Sequence, residues 1–152
     1  MNNSVKQIEE VLRNEGTFVS TTSGMSMYPM LRDRKDTIII EPYEGRLKKF
    51  DIPLYRSGGK YILHRIIKVT PKGYVIRGDN CDKKEYGITD HEILGVLTGF
   101  YRGEKKVDMK GLGYQMYVQL YCRALLLQWI LRRLRSLVAK VRRVIRKVGK
   151  NG

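Results

Sequence analysis

Between residues 17 and 109 the chain carries seven short runs rich in Ile, Val, Tyr and Thr, with turn residues between them and no amphipathic helix separating one from the next. That single pattern excludes most architectures. A parallel sheet needs a crossover of a dozen or more residues between strands, usually a helix, and no such βαβ alternation is present. The spacing predicts strands over Thr17–Thr21, Asp36–Glu41, Ile52–Tyr55, Tyr61–Val69, Gly73–Arg77, Ile93–Tyr101 and Lys105–Met109. Ser57-Gly58-Gly59-Lys60 and Pro71-Lys72-Gly73 read as hairpin turns. The expected class is mainly β with some helix (α+β): closely spaced antiparallel strands curling into a small barrel-like body.

Two helical segments flank this body. Val5, Ile8, Val11 and Leu12 recur at helical spacing over residues 4–14, Ser4 with Gln7 fits a capping box, and Asn14 to Gly16 supplies the stop. Beyond Gly111-Leu112-Gly113 the pattern turns helical again. Leu127, Leu134, Val141 and Val148 fall seven apart, with Ile130, Leu137, Val144 and Leu131, Val138, Ile145 in adjoining rows. Arg and Lys fill the opposite face. Three regions follow: an N-terminal helix over 1–15, a β body over 16–110 and a basic amphipathic helical tail over 111–152.

Charge separates the same regions. Of the 30 Lys and Arg, eleven lie from Met109 onward, where no Asp or Glu occurs. The net charge of +15 is therefore concentrated in the tail, and the first 108 residues carry only +4. A continuous apolar stripe opposite a wholly basic face suits an anionic membrane surface. Phosphate binding would need the charges but not the stripe, which argues against nucleic acid as the partner. A bilayer-spanning segment over 112–131 has the length but would carry Arg123 at its centre, at a cost of about 2.5–3.5 kcal/mol, so lying in the interface is the leading expectation and spanning, with the basic tail on the cytoplasmic side, the alternative. Glu9, Glu10 and Glu15 interrupt any apolar run at the N-terminus, so no signal-peptide core is expected there. Cys81 and Cys122 make no disulfide framework, and with His64 and His91 they make no zinc site. No phosphate-cradling glycine loop or dinucleotide fingerprint is present, and neither a cofactor nor a metal is expected.

The chemistry-bearing residues sit in the β body. Ser26 lies in Ser23-Gly24-Met25-Ser26-Met27-Tyr28-Pro29, His64 in Leu63-His64-Arg65-Ile66-Ile67, and Asp79 in Gly78-Asp79-Asn80. A serine hydroxyl becomes a nucleophile only when a base takes its proton, and imidazole does so near neutral pH. The 38 residues between Ser26 and His64 suit two segments brought together in a small β domain.

The serine segment resembles the nucleophile box of type I signal peptidases, S-G-x-S-M-x-P. His64-Arg65-Ile66-Ile67 resembles the base segment of the histidine-type members found in the endoplasmic reticulum, archaea and some bacteria. Gly78-Asp79-Asn80 resembles the downstream G-D-N box. Asp51-Ile52-Pro53-Leu54-Tyr55 is similar to the strand before the base, with Phe50 where a glycine is usual. The resemblance spans about Thr22 to Tyr101. It implies a membrane-associated serine endopeptidase of a bacterial or archaeal cell membrane, with Ser26 as nucleophile and His64 as general base. The orienting acid would be Asp79, or Asp82 at the spacing of the bacterial box, while in histidine-type enzymes an acid lies farther along, near Glu85. The oxyanion hole would use the Ser26 N–H, with Ser23 as a weaker second donor. The implied substrate is a preprotein or leader peptide. The family's usual N-terminal anchor is not read in this chain, which favours the LexA-like branch of the superfamily, cytosolic peptidases that cut themselves or a partner through a serine–lysine pair. His64 and the lack of a helix-turn-helix domain argue the other way. The third reading is non-enzymatic, a passive β body whose tail binds nucleic acid or acidic membrane.

Overall fold

The structure, a computed structural model, describes the backbone of residues 3–121 and the side chains of residues 8–121. The Ser4–Gln7 capping box and the basic stripe beyond residue 121 lie outside the described residues, as does most of the 112–131 segment. The chain divides into two compact units, Met1–Met109 and Lys110–Gly152. In the second, residues 112–121 are helical. Among the described residues no helix is long and apolar enough to cross a membrane.

The first unit is mainly β and antiparallel, as its short turn-bounded strands require. Helix α1 (Asn3–Glu15) precedes nine strands: β1 (Phe18–Thr21), β2 (Asp36–Glu41), β3 (Pro53–Ser57), β4 (Lys60–Leu63), β5 (Arg65–Thr70), β6 (Gly73–Arg77), β7 (Glu85–Ile88), β8 (Ile93–Arg102) and β9 (Lys105–Asp108). Gly16, at φ +69°, ends α1, its N–H bonding to the Leu12 carbonyl. The larger sheet runs β1-β2-β8-β3-β4, with β9 also on β8, and curls into a half-barrel; the smaller runs β5-β6-β7. Register shifts at Ile39/Ile40 and Leu54/Tyr55 supply bends in the larger sheet. Leu47, Tyr55, Ile66, Tyr74, Ile76, Ile88 and Ile93 pack into one buried cluster drawn from both sheets.

Two elements differ from the sequence expectation. The single strand expected over Tyr61–Val69 breaks at His64, where the chain leaves β4 of one sheet and enters β5 of the other. Periodicity could not show this, because both halves are apolar and β-branched. Strand β7 was not expected at all: Glu85-Tyr86-Gly87-Ile88 has little apolar character and is held by pairing with β6. The two expected hairpins form, with Ser57 opposite Lys60 and Thr70 opposite Gly73.

Candidate active site

The curl brings the free edges of the larger sheet, β1 and β4, to the two sides of one cleft. Its volume is about 430 Å³, and Phe18, Ser20–Thr22, Leu54 and Tyr61–His64 are among its lining residues. Ser23, Gly24, Ser26 and Met27 complete the rim. Serine and histidine, 38 positions apart in sequence, thus share one wall-to-wall space.

Ser26 opens the turn that follows β1, and the surrounding loop is braced from several directions. The Thr22 hydroxyl donates to the Arg32 carbonyl at 2.7 Å, and the Thr22 N–H to the Asp36 carbonyl at 3.0 Å. Gly24, at φ +95°, donates its N–H to Asp33 Oδ1 at 2.7 Å. The fully buried Asp36 carboxylate accepts from the Arg32 N–H at 2.8 Å and from its guanidinium at 2.7 and 3.0 Å. Burial alone would raise the Asp36 pKa, but these Arg32 hydrogen bonds and charges outweigh it and hold the carboxyl below its ordinary value. Ser26 itself is half-buried. Among the described residues its backbone N–H meets no protein acceptor, which leaves a donor available where an oxyanion hole was expected. Ser23 is exposed on the cleft rim, and nothing further marks it as a second donor.

His64 occupies the crossing between the two sheets. Its Nδ1 lies 2.8 Å from Glu85 Oε1 and 3.3 Å from the Tyr55 hydroxyl. Its side chain is 12 % exposed, so the Glu85 contact is not a solvent-screened surface pair. With Nδ1 bonded to a carboxylate, the ring carries its hydrogen there and leaves Nε2 as the basic nitrogen. Among the described residues no hydrogen bond joins Ser26 Oγ to His64. Such bonds in substrate-free enzymes are often long and tighten only on binding.

The carboxylate on His64 is therefore Glu85's, and neither Asp79 nor Asp82 holds the orienting place expected of it. Asp79 is buried and binds Arg65 bidentately, Oδ1 accepting from Nε at 2.8 Å and Oδ2 from a terminal nitrogen at 2.6 Å. Arg65 also donates to the Phe50 carbonyl at 3.2 Å. Asp82 is exposed in the loop before β7. Glu85 reaches His64 because β7 pairs with β6, a pairing that sequence periodicity did not reveal.

The Gly-Asp-Asn turn has a structural logic of its own. The Asn80 N–H donates to the Ser26 carbonyl at 2.7 Å, and its side-chain amide donates to the Met25 carbonyl at 3.2 Å. A Cβ on Gly78 would fall 2.7 Å from the Ser26 carbonyl oxygen, 2.8 Å from Cys81 Sγ and 2.9 Å from His64 Nε2. Only glycine lets this turn press the serine loop against the imidazole. Each member of the box thus holds one part of the site: Gly78 by close approach, Asp79 through Arg65, Asn80 by clamping two carbonyls. Phe50, at the position where the resemblance expects glycine, has φ +81°, a conformation that glycine adopts without strain.

Cys81 also lies close to this turn. Burial, reinforced by the Glu85 charge, raises its thiol pKa, so it stays protonated and a weak nucleophile. No group of three or more metal-ligating side chains occurs among the described residues. No protein-family model matches the chain, and no curated protein matches it either.

Proposed function

We propose that this protein is a serine endopeptidase of the signal-peptidase type, acting at an anionic membrane surface. Ser26 attacks a peptide carbonyl, and His64 Nε2 takes its proton. The Ser26 N–H faces the developing oxyanion. His64 then donates the proton to the leaving amine, and water releases the acyl group by the same path in reverse. Glu85 holds the Nδ1–H tautomer and stabilises the imidazolium. An extended leader peptide fits the cleft because β1 and β4 both offer unpaired strand edges to it. The observation that carries the reading is the imidazole on Glu85, packed through Gly78 against the loop that bears Ser26. The apolar, basic sequence beyond residue 121 supports the membrane setting.

The test is cleavage of a leader-peptide library by the full chain in anionic vesicles, beside Ser26→Ala and His64→Ala. Loss of the Ser26 hydroxyl should abolish turnover and labelling by a fluorophosphonate. Loss of the imidazole should slow both by about 10²–10⁴-fold. Undiminished cleavage by Ser26→Ala would end the assignment. Absence of cleavage and labelling in the wild type would leave a non-enzymatic β body as the better account.

A further inference from the structure

Sequence reasoning placed Tyr55 at the end of the segment that resembles the strand before the base and gave it no role, yet it meets the imidazole of the site. It lies on β3 with no exposed surface, its ring edge-on to the imidazole with centroids 6.3 Å apart. Its hydroxyl is 3.3 Å from His64 Nδ1, the same nitrogen that Glu85 Oε1 meets at 2.8 Å. The three residues come from three places in the fold: β3 of the larger sheet, the crossing at His64, and β7 of the smaller sheet.

The direction of these bonds follows from proton counting. A neutral imidazole has one N–H. For Nε2 to act as base, that hydrogen sits on Nδ1 and points to the nearer acceptor, Glu85 Oε1 at 2.8 Å. The Tyr55 hydroxyl then has no acceptor at Nδ1, which leaves the Glu85 carboxylate on that same nitrogen as the acceptor for its hydrogen. Burial, with the Glu85 charge close by, drives the phenol pKa far up, so this donor is never lost near neutral pH. Glu85 alone would be a poor anchor, since it opens a short edge strand and its side chain is 24 % exposed.

We propose that Tyr55 is a positioning residue of this site: its hydroxyl donates to Glu85, locks that carboxylate in place, and so fixes His64 as the Nδ1–H tautomer. The inference rests on the peptidase reading for its purpose, but not for its test. Tyr55 does not line the cleft; the proposed hydrogen bond acts on the imidazole through Glu85.

The experiment is ¹⁵N NMR of histidine-labelled full chain, with His91→Asn to assign the two imidazoles. In the wild type, His64 should show the Nδ1–H tautomer with a proton protected from water exchange. Tyr55→Phe, which removes one oxygen atom, should expose that proton and admit the Nε2–H tautomer. A hydrogen bond to a charged group is worth enough for about a tenfold effect. Cleavage should fall by a similar factor in kcat, with KM nearly unchanged. Glu85→Gln covers the case in which Tyr55→Phe does not fold: the Tyr55 hydroxyl proton should lose its protection there. The double variant should be no worse than Glu85→Gln, since both act through one carboxylate. An Nε2–H tautomer in the wild type, or unchanged tautomer and exchange in Tyr55→Phe, would overturn the proposal. A wild type with the expected tautomer but no peptidase activity would reject the enzyme reading and leave this arrangement standing.

Discussion

Gly78→Ala is the sharpest perturbation of the site, because it adds one methyl group and no charge. The backbone at Gly78 is not in the left-handed region, so alanine meets no intrinsic strain and the effect is steric. The new Cβ would stand 2.7 Å from the Ser26 carbonyl oxygen and 2.9 Å from His64 Nε2, where ordinary contact begins near 3.4 Å. The neighbours must yield by about 0.5–0.7 Å. Cys81 can swing its thiol away. The Ser26 carbonyl is held by Asn80, and the imidazole by Glu85. Overpacking of this kind costs about 1–3 kcal/mol, and each kcal/mol lowers the melting temperature of a domain this size by about 4–8 °C. A displacement of 1 Å at reacting groups costs roughly a hundredfold in rate, so half that should cost about tenfold. Gly95→Ala is the matched control. Its Cβ would meet the Glu41 carbonyl and Ile40 Cγ2, both at 2.8 Å and neither lining the cleft. Thermal melting and fluorophosphonate labelling of the folded protein would be measured for both. Comparable loss of stability, with slowed labelling only in Gly78→Ala, is expected. Wild-type labelling in Gly78→Ala, or equal slowing in Gly95→Ala, would refute the claim that this turn sets the serine against the imidazole.

Asp79→Ala leaves the Arg65 guanidinium buried without its carboxylate and should cost about 3–5 kcal/mol in urea unfolding; pairing it with Arg65→Met should recover part of that loss. A cost below about 1 kcal/mol would show that the pair is not structurally required. Asp36, whose folded pKa is depressed, contributes stability that is fully present above its unfolded pKa of about 3.9 and is lost as pH falls through the lower folded value. Urea midpoints measured downward from pH 6 should therefore fall more steeply in the wild type than in Asp36→Asn, and parallel curves would contradict the Arg32 contacts. The full chain should sediment with phosphatidylserine vesicles and not with zwitterionic ones, at about 1 kcal/mol per engaged Lys or Arg, and release as salt rises. Salt-sensitive DNA binding with no vesicle preference would point the basic segment elsewhere.

The sequence by itself determined the class of the fold and singled out Ser26 and His64 as the proposed pair. Short β-branched runs joined by Gly- and Pro-containing turns, without intervening helices, leave antiparallel pairing as the way to bury their apolar faces. Gly58 and Gly59 mark one hairpin through turn chemistry that is local and so legible. Ser26 and His64 were legible too, because their segments carry distinctive residues at fixed spacing. Tertiary structure alone decided the acid. Asp79 stands in the expected box, yet Arg65, adjacent to His64 in sequence, turns into the core and takes that carboxylate. Glu85 reaches the imidazole only because a weakly patterned segment pairs with β6. The break of one apolar run at His64, the close approach at Gly78 and the contact with Tyr55 share that origin. Each depends on which sheet a strand joins, and pairing partners are chosen by burial across the whole unit, which no local period records.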